Sequence, residues 1–370
     1  MERSRIFLGL AVLAIFLSST TINPSIAVAP TGPAPVPGNL IPIPPAFVPM
    51  PSNPLPVVPL LPAPSLYSID KVNSGLVASD SLTNETLNKQ QLLSNPRYWT
   101  YGGSAQVLNT PYDLFKDSQG LHIGVQSLQN GSYTGFYGVT PNTNAKLFHA
   151  VVSTQPSTLP IMTDFYESGL YVQTAGIPNI NYVTCTSDTS FWGTSWAVIW
   201  ATGNPFGITD YKVLSVITTA NPTTADCTIV TNGNNFLKVY LDGGLVYSNS
   251  TLNLQMPGPF NAFLEPQTSY PSQMLYGTYK DYYAATDESI KVTNNPSLAA
   301  KVMLVDSTGN VLASSSVVSG NASLVIGQYH MPLAAYIKVY DSNDIQLAST
   351  KTPVNIFGGD TYSVNLNPGL

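Results

Sequence analysis

The sequence carries very little charge. Only 9% of its 370 residues are charged, and 14 Lys and Arg stand against 20 Asp and Glu, a formal net charge of −6. A typical soluble domain is about one quarter charged. Nucleic-acid binding requires a basic surface, so this composition excludes it. Solubility must therefore come from neutral polar residues, chiefly Asn, Ser, Thr and Tyr.

Cysteine is equally scarce, since the chain contains only Cys185 and Cys227. An even number in an exported protein predicts one disulfide, with two buried thiols as the alternative. Closing a loop of about 40 residues would stabilise the fold by about 3–4 kcal/mol in the chain-entropy model.

Long hydrophobic runs are missing except near the N-terminus. Arg3 and Arg5 precede an apolar run from Ile6 to Leu17, followed by small residues. This order predicts a signal peptide over 1–27, cleaved before Val28, and hence an extracellular or cell-surface protein. The alternative is an uncleaved membrane anchor, although twelve residues span about 18 Å of a hydrocarbon core about 30 Å thick.

Proline, in contrast, is concentrated in one tract. Fourteen prolines occur between Pro30 and Pro64. Proline removes a backbone donor and favours extended polyproline II, so residues 28–66 are predicted to form a disordered, solvated spacer.

Helical periodicity is nearly absent beyond residue 95, and Ser81–Leu93 is the one plausible short helix. Runs of Val, Ile, Tyr, Phe and Thr alternate with Gly, Asn, Asp and Pro, which predicts many antiparallel strands and an all-β fold. Leu237–Tyr247 is the clearest hairpin, because Asp242-Gly243 supplies the residues that a tight turn requires.

A change in composition near residues 293–296 predicts two domains, 67–293 and 297–370. The second contains an internal repeat in which Asp306-Ser307 precedes Leu312–Ser315 and Asp341-Ser342 precedes Leu347–Thr350. Each copy reads as a strand, a polar turn and a returning strand. A small β-sandwich is predicted for this domain.

Three segments give residues 98–292 a resemblance to the concanavalin A-like lectin/glucanase superfamily (LamG-like). They are the hairpin Phe236–Tyr247, Gly120–Val125 and the final-strand candidate Glu288–Val292. The resemblance implies a jelly roll of two curved sheets that recognises carbohydrate. The C-terminal domain resembles an immunoglobulin- or transthyretin-type sandwich. Fold alone does not establish function.

Glucanases of this superfamily use a strand motif Glu-x-Asp-x-x-Glu, whose two outer carboxylates lie about 5–5.5 Å apart for a retaining mechanism. Here Asp164 and Glu167 have the spacing, but Met162 stands at the nucleophile position. A thioether cannot act as that nucleophile. No catalytic residue is assigned, and the protein is not expected to be an enzyme.

No cofactor or metal site is predicted. His122, His149 and His330 are scattered singly, whereas a metal site needs convergent ligands. Calcium is left open, with Asp287-Glu288 as candidate ligands; the loop beginning at Asp306 lacks the bidentate Glu of calcium loops.

Aromatic residues provide the candidate ligand site. Sugar rings present apolar C–H faces, so flat aromatic side chains beside polar groups favour saccharide binding. The predicted carbohydrate-binding residues are Trp192, Tyr279, Asp281 and Tyr282. Trp196 and Trp200 share one face of an apolar strand and are assigned to the core. Sites for N-glycosylation are predicted from N-x-[ST] sequences at Asn84, Asn130, Asn249 and Asn321.

These observations predict an exported, non-catalytic protein of the cell surface that binds polysaccharide or surface glycan. One alternative is a structural envelope or filament subunit that self-associates through its strand edges. A secreted glycoside hydrolase is a further alternative. Membrane attachment is expected only through an uncleaved N-terminal segment.

Overall fold

The computed structural model describes residues 67–155, 158–175, 181–204, 207–219 and 222–366. The predicted signal peptide and proline-rich spacer lie outside these ranges. Within them, neither helix is long and apolar enough to cross a membrane.

The described residues form 25 strands and two short helices. In chain order they are β1 (Tyr67–Asn73), β2 (Leu76–Asp80), α1 (Lys89–Ser94), β3 (Thr100–Gly102), α2 (Ser104–Val107), β4 (Tyr112–Asp117), β5 (Gly120–Val125), β6 (Thr134–Gly135), β7 (Tyr137–Val139), β8 (Leu147–Thr154), β9 (Tyr166–Thr174), β10 (Tyr182–Ser190), β11 (Gly193–Asn204), β12 (Gly207–Ile217), β13 (Thr224–Thr231), β14 (Leu237–Leu241), β15 (Gly244–Asn249), β16 (Phe260–Thr268), β17 (Leu275–Ala285), β18 (Ser289–Thr293), β19 (Ala299–Val305), β20 (Val311–Ser316), β21 (Ala322–Val325), β22 (Leu333–Asp341), β23 (Gln346–Ser349), β24 (Val354–Ile356) and β25 (Thr361–Leu366). The predicted all-β class is confirmed.

The predicted helix over Ser81–Leu93 is shorter than expected. It begins at Lys89, because the Asn88 side chain accepts a hydrogen bond from the backbone N–H of Gln91, and the Gln91 side chain caps the N–H of Asn88. Upstream, Leu82 has a φ of 60° and is buried, which is incompatible with a continuing helix.

Two eight-stranded sheets form a jelly-roll sandwich. Sheet I has the order β15-β14-β13-β8-β17-β5-β4, with β2 beside β17. Sheet II has the order β12-β11-β10-β9-β16-β7-β3, with β6 beside β16. Alternate residues of both sheets point inward to one shared apolar core. Trp196 and Trp200 belong to this core, as predicted from their spacing.

The predicted disulfide is confirmed. Cys185 on β10 and Cys227 on β13 are bonded across the core, with their Cα atoms 6.0 Å apart. The bond therefore joins sheet II to sheet I, and its loop spans 42 residues in sequence.

The predicted hairpin is also confirmed. β14 and β15 pair on either side of Asp242-Gly243, whose φ angles are 49° and 76°. Two successive positive φ values belong to the type I′ turn that matches the twist of paired strands.

Sheet III contains β1 and β18–β25, in the order β20-β19-β22-β23-β1-β25-β18-β21, with β24 beside β22. Its edge strands β20 and β21 lie close together, so the sheet folds over a second apolar core. Hydrogen bonding thus places β1 and β18, both within the predicted first domain, beside the C-terminal strands. The second core also takes Leu147, Tyr240 and Tyr283 from the outer face of sheet I.

Candidate functional site

Three carboxyl groups meet on the outer face of sheet II, the face turned away from the sandwich core. On β9, Tyr166 and Leu170 point into the core, so Glu167 points outward. Asp188 on β10 lies directly opposite Glu167, and Glu265 on β16 lies opposite Gly169, two residues further along β9. We call Glu167, Asp188 and Glu265 the acid cluster.

Glycine makes room for this cluster. A Cβ atom at Gly169 would lie 2.8 Å from the Cβ of Thr186 on β10, and one at Gly135 would lie 2.8 Å from the Oε1 atom of Glu265. Neither distance is compatible with an unshifted side chain. The two glycines therefore allow the strand carrying Thr186 and the Glu265 carboxyl group to approach closely.

Burial raises the pKa of each acid-cluster residue. For Glu265 the pKa rises to about 8. For Glu167, burial is the main cause, and the neighbouring charges of Asp188 and Glu265 raise its pKa further. Burial likewise raises the pKa of Asp188. No ion pair within the described ranges involves these groups, so they favour the neutral, hydrogen-bond-donating form.

Tyrosines surround the acid cluster on the same face. The rings of Tyr171 and Tyr182 meet edge to face with centroids 5.6 Å apart, and Gln267 Nε2 donates to the Tyr171 hydroxyl over 3.1 Å. Burial, followed by the charge of Glu167, raises the pKa of Tyr211. The Tyr211 hydroxyl is buried and has no hydrogen-bond partner within the described ranges. The face thus combines flat rings with unused hydrogen-bonding capacity.

An exposed aromatic pair lies at the end of the strand that carries Asp188. Phe191 and Trp192 form the turn between β10 and β11, and their rings meet at 88° with centroids 5.2 Å apart. Trp192 is 56% exposed. Asp188 lies only a few residues before this turn on the same strand. Because a strand rises by about 3.3 Å per residue, the aromatic pair lies near the acid cluster. Of the four predicted saccharide contacts, Trp192 is the one with a large free ring surface.

The structure contradicts Tyr279 and Tyr282 as saccharide contacts. Both are at most 1% exposed and belong to the sandwich core. The Tyr279 hydroxyl is hydrogen bonded to Ser168 Oγ at 2.9 Å, and the Tyr282 ring packs against Trp99 at 4.9 Å. Neither ring has a face available to a ligand. Asp281 is half-buried between them, with a φ of 53°.

The Met162–Glu167 stretch does not form a single catalytic strand. Met162 is exposed in a turn before β9. Asp164 is buried in the same loop, where its carboxylate accepts hydrogen bonds from Asn130 Nδ2 at 2.6 Å and from the Gly131 N–H at 3.3 Å. Glu167 alone lies on the strand, and its carboxyl neighbours come from β10 and β16 instead.

The candidate calcium ligands already have partners. Glu288 accepts hydrogen bonds from Lys238 Nζ at 2.6 Å and the Tyr240 hydroxyl at 3.0 Å, and Asp287 Oδ1 accepts one from the Ser289 N–H at 3.2 Å. Asp306 accepts from the backbone and side chains of Thr308 and Asn310 within its own loop, which lowers its pKa to about 2. Calcium would have to displace these donors.

The four predicted glycosylation sites stay predictions. Asn84, Asn130 and Asn321 are exposed, whereas Asn249 is half-buried. The Asn249 Oδ1 atom accepts hydrogen bonds from the backbone and hydroxyl of Thr251, the third residue of its own acceptor sequence.

Fold and site together define a jelly-roll β-sandwich with an acidic, tyrosine-rich outer face on one sheet. No family model matches the sequence, and a search of curated proteins found no match. Among solved structures, LamAcat from Zobellia galactanivorans is 13% identical with a TM-score of 0.36, covering 58% of this chain and 98% of that one. A Bacillus subtilis protein of unknown function with a galectin-like fold is 9% identical with a TM-score of 0.33, covering 59% and 98%. At these values, function must be argued from the site itself.

Proposed function

We propose that this chain is an exported protein that binds polysaccharide on the outer face of sheet II without cleaving it. The observation that carries the proposal is the acid cluster, three carboxyl groups brought together from three strands and forming no ion pair with any residue that the structure describes. Such a cluster is unfavourable for folding and is typical of functional sites.

The chemistry of the face suits a sugar. Neutral carboxyl groups and tyrosine hydroxyls both donate and accept hydrogen bonds, as sugar hydroxyls do. Tyr182, Tyr211 and Trp192 offer aromatic rings, and a few polar groups on an aromatic surface are typical of small-molecule sites. A cationic ligand fits less well, because burial keeps the carboxyl groups protonated.

Binding without hydrolysis is supported by the electrostatics. A retaining glycosidase needs one ionised carboxylate as nucleophile beside one protonated acid. Here burial raises the pKa of all three groups in the same direction, and none has the lowered pKa expected of an ionised nucleophile. Export is supported by the disulfide, which is typical of oxidising compartments, and by the predicted signal peptide.

We expect the purified chain to bind at least one polysaccharide in a panel of neutral and acidic glycans. Trp192→Ala and Tyr182→Ala should each weaken binding about 5- to 30-fold, because each removes an aromatic surface worth roughly 1–2 kcal/mol. Affinity electrophoresis followed by calorimetry measures this. Ile345→Ala, which truncates an exposed apolar side chain in the turn between β22 and β23, is the matched control and should leave the affinity unchanged. Retention of full affinity by both aromatic variants would contradict the assigned face.

Incubation with each bound polysaccharide should release no reducing ends above a blank. The comparison includes Glu167→Gln, which would abolish any activity that depended on the acid cluster. If the unchanged chain releases reducing ends and the Glu167→Gln variant does not, the protein is a hydrolase. That result would leave the binding face correct while contradicting the non-catalytic assignment.

A further inference from the structure

His149 is a buried histidine with one unpaired ring nitrogen. It lies on β8, on the outer face of sheet I, and is 1% exposed. Its Nδ1 atom lies 2.9 Å from the Thr228 hydroxyl on β13. Its Nε2 atom is buried and has no hydrogen-bond partner within the described ranges. Leaving such a group unpaired costs about 1–3 kcal/mol, so a ligand for Nε2 is expected.

Two further metal-ligating side chains converge on His149. Asp226 lies on β13, two residues before Thr228, and His330 lies between β21 and β22 of sheet III. One ligand atom from each of the three residues lies within 4.8 Å of the others. His330 Nδ1 is 3.9 Å from Asp226 Oδ2, and the two histidine rings meet at 79° with centroids 5.2 Å apart.

The residues around His149 fix the orientation of its ring and favour a bound cation. Tyr283 stacks on the His149 ring with centroids 4.5 Å apart and planes inclined by 15°, which fixes the orientation of the imidazole. Asp242 Oδ1 accepts a hydrogen bond from the Asp226 N–H, and both Asp242 and Asp281 act electrostatically on Asp226. Lys280 is a positively charged neighbour of Asp226 and opposes the effect of these two carboxylates. The site therefore lies in a mainly acidic environment.

We propose that His149, Asp226 and His330 form a zinc-binding site between sheet I and sheet III. Two imidazoles and one carboxylate are a donor set that zinc accepts, with water as the fourth ligand. The Thr228 hydroxyl would accept a hydrogen bond from the His149 Nδ1–H group and so leave the Nε2 lone pair for the metal.

The present spacing requires only a small closure. Zinc bonds of about 2.0–2.1 Å place tetrahedral ligand atoms about 3.4 Å apart. His149 is held rigidly, whereas the side chains of His330 and Asp226 are 49% and 40% exposed and free to move inward. A bound metal would then connect the sandwich to the loop of sheet III that carries His330. This site is independent of the proposed glycan-binding face, because it lies on the other sheet.

The test is titration of the tag-free, metal-depleted chain with zinc chloride, followed by calorimetry and thermal denaturation. We expect one zinc per chain with a Kd at or below about 1 μM, and a rise in Tm of about 4 °C or more at saturating metal. His330→Ala and Asp226→Asn should each weaken binding about 100-fold and remove the rise in Tm. His122→Gln, which changes the third histidine of the chain, is the matched control and should bind like the unchanged protein.

Because His330 is half-exposed, its alanine variant should fold, and an unchanged Tm without metal verifies this. Cobalt substitution gives a second readout, since a tetrahedral site with nitrogen ligands produces visible absorption that His330→Ala should lose. The proposal is overturned if no saturable binding occurs up to about 1 mM zinc. It is equally overturned if His330→Ala and Asp226→Asn bind zinc as tightly as the unchanged chain.

Discussion

Asp360→Ala is expected to destabilise sheet III severely, by about 3–5 kcal/mol. Asp360 is fully buried. Its carboxylate accepts hydrogen bonds from the backbone N–H groups of Gly75 and Phe357, at 2.8 and 2.9 Å. Lys71 Nζ donates to it at 2.6 Å and forms an ion pair. Removing the carboxylate leaves two backbone donors, the Tyr362 hydroxyl and the Lys71 cation without their acceptor.

Urea denaturation measures this loss, and hydrogen exchange locates it. The amides of Gly75 and Phe357 should lose protection in Asp360→Ala before those of sheet II do. Asp70→Ala is the control, because Asp70 is exposed and lies beside Lys71 on β1; it should change the free energy of unfolding by less than about 1 kcal/mol. A similarly small change in Asp360→Ala would contradict the role assigned to Asp360.

The second large effect is a fall in stability as the pH rises from about 5 to 8, with Tm decreasing by about 5–10 °C. Below pH 4, the acid-cluster carboxyl groups are protonated in both folded and unfolded chains, and their contribution to stability is fully present. As the pH rises, the unfolded chain loses these protons near pH 4–5. The folded chain retains them until higher pH, since the pKa of Glu265 is about 8. The free energy of unfolding therefore falls across this window.

Glu265→Gln separates this effect from other titrations. Glutamine cannot ionise, so the variant should be more stable than the unchanged chain at pH 8 and should show a flatter dependence of Tm on pH. Glu85→Gln changes an exposed ion pair with Arg97 and should leave the slope as it is. A Tm that stays constant or rises between pH 5 and 8 in the unchanged chain would contradict the raised pKa values.

Polysaccharide binding is best measured near pH 5–6, where the cluster is protonated.

Features with a local cause could be predicted from the sequence. The Asp242-Gly243 turn depends on two residues and their preference for positive φ, and β14 and β15 pair as expected. Trp196 and Trp200 were placed in the core because even spacing on a strand keeps both on one face. The disulfide followed from an even count of cysteines.

The acid cluster could not be predicted in the same way. Glu167 and Asp188 come from consecutive strands, but Glu265 lies on β16, far away in sequence. The three meet only because β9 lies between β10 and β16 with a particular register. A shift of one residue would have turned Glu167 into the core. The sequence feature that indicates the acid cluster is the presence of acidic residues at outward-facing positions of otherwise neutral strands.

Tyr279 and Tyr282 were misassigned for a related reason. Strict alternation along β17 would place residues three apart on opposite faces. The pairing of β17 with β8 shifts register between Lys280 and Tyr283, and Asp281 has positive φ. This bulge restores both tyrosines to the inner face. The position of a bulge depends on the neighbouring strand, which the sequence of β17 does not specify.

The pairing of β1 with β25 has a mechanical consequence. The two strands are antiparallel, and Tyr67 lies opposite Leu366. The first and last described residues are thus neighbours across one ladder. A force that pulls Tyr67 and Leu366 apart would break the hydrogen bonds between the two strands one pair after another. A force directed along β1, parallel to both strands, would instead load all the hydrogen bonds of this ladder together.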